Sequence, residues 1–148
     1  MRSFVRRAAF AALLVSGAML IAGCSSVSLD EPIEGRTWRL ARLGTEPVAP
    51  SGDPQRDAQL VFDGRTGRVS GSGGCNRLTA GYQRNADALK IGPLAATRMA
   101  CVDAGRSALE GRFLAALQAT ASYRMAGDQL SLLDQGGQTL AVLSAVAR

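Results

Sequence analysis

The chain has 148 residues, three cysteines, no histidine and a formal net charge of +5. The missing histidine excludes Ser-His-Asp and Cys-His catalysis, His-ligated zinc and histidine pH switching. Three of the 17 basic residues fall within the first 23 positions, which leaves 14 basic against 12 acidic residues beyond them; without a basic cluster interleaved with aromatics, nucleic-acid binding has no support.

In chain order, Arg2, Arg6 and Arg7 give a positive start, and Ala8 to Leu20 is an uncharged, mostly apolar run. Ile21-Ala22-Gly23-Cys24 follows. A positive flank holds the N-terminus at the cytoplasmic face while the apolar run enters the bilayer, and small residues fit the peptidase. Residues 8–23 are too short for a membrane span, which takes about 20 residues. The segment resembles the lipobox of bacterial lipoproteins, which implies cleavage between Gly23 and Cys24 and lipidation of Cys24. Two or more acyl chains on one cysteine anchor stably where a single chain does not. Arg6-Arg7 fits a twin-arginine signal poorly, so the general secretion route is expected. Ser25 matches the residue type that lets lipoproteins move on to the outer membrane. The expected location is the cell envelope, lipid-anchored at the outer membrane and facing the periplasm.

Residues 24–34 read as a polar tether that contributes no core, and residues 35–148 as one domain with a single core. Thr37 to Ala41 alternates as a half-buried strand does. Glu46 to Asp57 holds Pro47, Pro50 and Pro54 and reads as a loop. Strands are expected at Ala58–Phe62, ended by the turn dipeptide Asp63-Gly64, at Arg68–Gly71, through Leu78, Ala80 and Tyr82, and at Ala88–Ile91. One helix follows Cys101. Asp103 or Ser107 caps it, the second forming a capping box with Glu110, and Leu109, Phe113, Leu114 and Leu117 share its apolar face. Strands at 122–125, 129–133 and 139–143 complete the chain, separated by Gly127-Asp128 and Gly136-Gly137. Many short strands and one helix without βαβ alternation give an α+β fold: a mainly antiparallel, strongly curved sheet or partly open barrel packed on the helix.

With Cys24 given to lipid, Cys75 and Cys101 are too few for a closed zinc site. In an oxidising periplasm a disulfide between them is the expected state, with two buried free thiols as the alternative. No metal or cofactor is expected. Gly71-Ser72-Gly73-Gly74-Cys75-Asn76 lacks the lysine of a phosphate loop and the third glycine of a dinucleotide fingerprint; its glycines read as bends that place Cys75.

Several pieces in order resemble the META/HslJ-like domain family of bacterial envelope lipoproteins. They are Gly35-x-x-Trp38-x-Leu40, Leu60-x-Phe62, Gly71-x-x-Gly74-Cys75-Asn76, Gly81-Tyr82, Leu89-x-Ile91, Thr97-x-Met99-Ala100-Cys101, Glu110-x-x-Phe113-x-x-x-Leu117 and Leu130-x-Leu132. The resemblance covers nearly the whole mature domain and departs from the family in the proline-rich loop after the first strand. It implies a curved antiparallel barrel on one helix and an association with heat shock. It brings no catalytic residues, so Trp38, Asn76, Tyr82, Thr97, Met99, Glu110 and Phe113 read as structural. Asn76 suits a turn that bonds its own backbone, Tyr82 a buried ring with its hydroxyl at an edge, and Glu110 a helix N-terminus.

The leading expectation is a non-enzymatic envelope lipoprotein with a binding or maintenance role under envelope stress. Its partners would be the membrane, through the lipid anchor, and an apolar ligand or an envelope protein client held at the barrel mouth or the sheet–helix cleft. The alternatives are a pilot or assembly factor for an outer-membrane component and a carboxylate-based hydrolase, the latter needing two carboxyl groups on one cleft.

Overall fold

The computed structural model describes residues 32–147. Cys24 and the Gly23–Cys24 bond lie outside them. Among the described residues there are ten strands, β1 Thr37–Leu43, β2 Glu46–Pro47, β3 Gln59–Asp63, β4 Arg68–Ser72, β5 Arg77–Asn85, β6 Ala88–Ile91, β7 Ala95–Ala96, β8 Ser122–Ala126, β9 Gln129–Leu133 and β10 Thr139–Ala145, and one α-helix, α1, at Ala104–Ala119. Every pairing between strands is antiparallel.

The neighbours run β10-β9-β8-β6-β5-β4-β3-β1, and β10 pairs again with β1. Eight strands therefore form a closed ring: the strongly curved antiparallel sheet packed on one helix is as expected from the sequence, and it closes fully where a partly open barrel was the other form expected. Two bulges assist closure. Ala41 is skipped in the β1–β10 register and Leu140 in the β9–β10 register, and an extra residue increases local twist and coil. The thin point of the ring is β6–β8, joined by the single pair Ala88–Ser122. β2 folds back on β1 as a hairpin extension, and the short β7 adds to the far end of β5.

Alternation explains the inside of the barrel. Trp38 and Leu40 of β1, Leu60 and Phe62 of β3, Val69 of β4, Leu78 and Ala80 of β5, Leu89 and Ile91 of β6, and Leu130 and Leu132 of β9 are all buried, as every second residue of a strand should be. Trp38, Phe62 and Phe113 are the largest fully enclosed side chains. Helix α1 lies across one end of the ring. Its Phe113, Ala116 and Leu117 join the core, Arg112 reaches Glu46 of β2 and Gln118 reaches the Gly92 carbonyl beyond β6.

Here one of the two caps offered by the sequence is selected, and the start of the domain changes. Asp103, not Ser107, caps α1: its Oδ1 accepts from the N–H groups of Gly105 at 2.8 Å and Arg106 at 3.2 Å. Ser107 sits inside the helix, so the capping box with Glu110 does not form. The domain also starts earlier than Gly35. Ile33 is fully buried in the barrel core, its carbonyl accepts from the Trp38 indole N–H at 2.7 Å, and Glu34 bridges to Phe62. A tether would leave that end of the barrel open over Trp38 and Phe62, and covering such apolar surface is favourable.

Candidate functional site

Four of the motif residues, Asn76, Thr97, Met99 and Glu110, converge where α1 meets the β4–β5 connection. Glu110 is buried and carries three hydrogen bonds: its Oε2 accepts from the backbone N–H groups of Cys75 at 3.0 Å and Asn76 at 2.6 Å, and its Oε1 accepts from Asn76 Nδ2 at 2.7 Å. Asn76 passes the link onward, its Oδ1 accepting from Thr97 Oγ1 at 3.0 Å and from the Met99 N–H at 2.7 Å. Thr97 Oγ1 in turn accepts from the Arg77 N–H at 3.1 Å. One carboxylate and one carboxamide thus fasten three segments far apart in sequence, and charge-assisted bonds of this kind are among the stronger ones.

The glycines serve that junction. A Cβ on Gly73 would come within 2.6 Å of Glu110 Cγ and 2.8 Å of its carboxyl carbon, so any larger residue would displace the carboxylate. Gly74 has φ +109°, a region that side chains avoid. Gly71 lets β4 approach β3 closely, since a Cβ there would run into the Gln59 backbone. The disulfide between Cys75 and Cys101, with Cα atoms 5.9 Å apart, closes the loop that holds Thr97 and Met99. The Met99 side chain itself points out, 66 % exposed.

Asn76 therefore acts across segments rather than on its own turn, and Glu110 anchors a loop rather than favouring a helix end. The sequence carried a partial signal for both: the two residues sit in dense motifs, but nothing in their spacing showed that the motifs touch.

A second polar cluster occupies the opposite mouth of the barrel. Tyr82 and Arg84 follow Leu78 and Ala80 on the inner face of β5. Tyr82 donates to Glu34 Oε1 at 2.9 Å, Arg84 pairs with the same oxygen at 3.3 Å and donates to the Tyr123 hydroxyl at 2.8 Å. The Tyr82 ring stands edge-on to Phe62, with centroids 5.1 Å apart. Burial, with Glu34 beside it, raises the Tyr82 phenol well above the ordinary tyrosine range. The sequence marked Tyr82 but not Glu34, Arg84 or Tyr123; the inward alternation of Arg84 was the one available sign. Among the described residues, no group of three or more His, Cys, Asp or Glu side chains could hold a metal ion.

The META domain family matches residues 31–147, a span that includes both junctions. The chain belongs to the META domain family. This META domain resembles a protein from Burkholderia xenovorans solved by NMR, with 29% identity and a TM-score of 0.62 over 78% of this chain and 85% of that one. A second protein solved by NMR has 22% identity and a TM-score of 0.59, with 76% and 90% of the two chains covered. The crystal structure of a DUF4847 family protein from Bacteroides vulgatus has 15% identity and a TM-score of 0.57, with 78% and 95% covered. The last two likenesses show the fold alone. Comparison with curated proteins found no match.

Proposed function

We propose that this META domain is the periplasmic part of a lipid-anchored envelope lipoprotein, with a non-catalytic binding or maintenance role under envelope stress. The observation that carries the reading is the segment from Arg2 to Cys24: positive start, apolar run, small residues, cysteine. Support for a non-catalytic role comes from the motif itself, because Glu110, Asn76 and Thr97 spend their polar atoms on one another and on the backbone. A carboxylate hydrolase would need two carboxyl groups about 5–10 Å apart across one cleft. Glu110 and Glu34 instead lie at opposite ends of the barrel.

The test is Cys24→Ala in the full chain. Membrane partition and incorporation of labelled palmitate should both be lost; unchanged partition sinks the reading.

The pilot-type alternative has one observation in its favour. Met99 and Val102, 66 % and 105 % exposed, flank the disulfide on a loop that the Asn76 bonds hold in place, and exposed apolar groups mark contact sites when they cluster. A single envelope client captured by the native chain and lost on Met99→Ser with Val102→Ser would select that alternative. Capture unaffected by the pair would reject this surface.

A further inference from the structure

The weak point of the ring opens onto a cleft. Beside the single pair Ala88–Ser122, the Leu89 N–H donates to the Ala121 carbonyl at 3.1 Å and the Tyr123 N–H to the Asp87 carbonyl at 2.9 Å. Beyond Leu89 the last turn of α1 takes the place of a strand, and Gln118 Nε2 donates to the Gly92 carbonyl at 2.7 Å. Between the β5–β6 hairpin, the end of α1 and the β9–β10 turn lies a cleft of about 900 Å³, within the range of small-molecule sites.

Its lining is polar in a particular way. Gln83, Asn85, Gln118 and Gln135 bring four carboxamides, Lys90 an ammonium, Arg84 a guanidinium already engaged by Glu34 and Tyr123, and Asp134 a carboxylate. Lys90 is the only lysine of the chain. It stands opposite Gln83 across the strand pair, and its ammonium is absent from the ion pairs of the described residues. Asp134 uses Oδ1 to accept from the Gly136 and Gln138 N–H groups at 2.8 and 2.9 Å, which leaves Oδ2 as an acceptor. The C-terminal carbonyls of α1 add further acceptors and a partial negative charge.

This chemistry selects among ligands. A phosphate-rich ligand would meet Asp134 and the negative helix end. An apolar ligand would cover the carboxamides of Gln83, Asn85 and Gln135 and the Lys90 ammonium without giving them partners, at a cost in desolvation. A hydroxyl-rich ligand suits the lining, because each carboxamide donates and accepts at once and a hydroxyl does the same. Lys90 adds a place for one carboxylate. We infer that the cleft between β6, the end of α1 and the β9–β10 turn binds a saccharide carrying one carboxylate. The inference stands on the cleft residues and is independent of where the chain is anchored.

Backbone NMR of the full chain in detergent micelles, titrated with a glucuronate-containing disaccharide and, separately, with neutral cellobiose, tests it. Shifts are expected to centre on Gln83, Lys90 and Gln135, with the acidic sugar bound more tightly and a Kd of about 1 mM or below. Lys90→Met should weaken the acidic sugar by about 10-fold and leave cellobiose unchanged. Gln83→Ala with Gln135→Ala should weaken both sugars, and an unchanged spectrum away from the cleft checks that each variant is folded. No shift with either sugar, shifts centred elsewhere, or a Lys90→Met variant that still prefers the acidic sugar overturns the inference.

Discussion

A chain that begins at Gly35 should be markedly less stable than one that begins at Ser25, because only the longer one carries the plug of the barrel. The shorter chain loses three things. Ile33 is fully buried, and exposing such a side chain costs about 1.5–3 kcal/mol before any cavity is counted. The Trp38 indole N–H loses the Ile33 carbonyl, and an orphaned buried donor costs about 1–3 kcal/mol. Tyr82 and Arg84 lose Glu34; both are partly solvated, so this adds at most about 1 kcal/mol. Together the loss is about 2.5–7 kcal/mol, a large share of the 5–15 kcal/mol that typically holds a domain. Urea denaturation of the two chains, followed by tryptophan fluorescence, reads it directly, since Trp38 lies under the plug. Ile33→Ala in the longer chain should cost about 2–5 kcal/mol by itself. Equal unfolding midpoints for the two chains would refute the plug and restore residues 24–34 as a plain tether.

Glu110→Gln should destabilise the domain by about 2–4 kcal/mol in thermal unfolding, because whichever way the amide turns, its NH₂ faces a donor, either the Cys75 and Asn76 N–H groups or Asn76 Nδ2; a neutral result would mean that the carboxylate does not hold the loop. Cys101→Ser, which opens a loop with a sequence separation of 26, should lower stability by about 3–4 kcal/mol on the chain-entropy model, and the native chain should lose a similar amount on reduction. An unfolding midpoint insensitive to reductant would contradict this. The raised Tyr82 phenol gives a pH dependence of known sign: the unfolded phenol ionises first, so its contribution is full below about pH 10 and is lost as the pH rises further. Absorbance titration at alkaline pH should show a tyrosine that ionises late in the native chain, and Glu34→Gln should bring it earlier; identical titrations of the two proteins would refute the contact.

The strands show where local pattern was enough. β6 and β9 coincide with the expected ranges, β1, β4, β8 and β10 run one or two residues further at the end, and β3 is shifted by one residue, because period-two burial and Gly-containing turns act on neighbours in sequence. β7 escaped notice because Ala95 and Ala96 have no alternation to display. The proline-rich loop holds a short 3-10 turn, Pro54–Arg56, capped by Asp53. Its first two residues extend β1 as a hairpin, a role set by the partner strand and not by their own composition.

Glu110 shows the limit most clearly. By sequence it was a polar residue on a helix surface with a plausible cap three residues before it, and a helical wheel places it beside the apolar face without saying what stands opposite. Only the folded chain brings Gly73, Cys75 and Asn76 against it. Ile33 is the same lesson at the other end: a lone apolar residue between proline and glutamate carries no period, and its burial depends on a barrel mouth that exists only after distant strands close.

What the sequence determined by itself was therefore the family, the strand–helix order and the inward alternation that builds the core, all carried by residues close together in the chain. Tertiary structure decided that the ring closes, that Ile33 and Glu34 belong to the domain, and that Glu110 and Asn76 join three segments. These outcomes depend on pairings between residues far apart in sequence, such as Trp38 with Ala145 and Glu110 with Asn76, and on the burial that follows once those pairings are made.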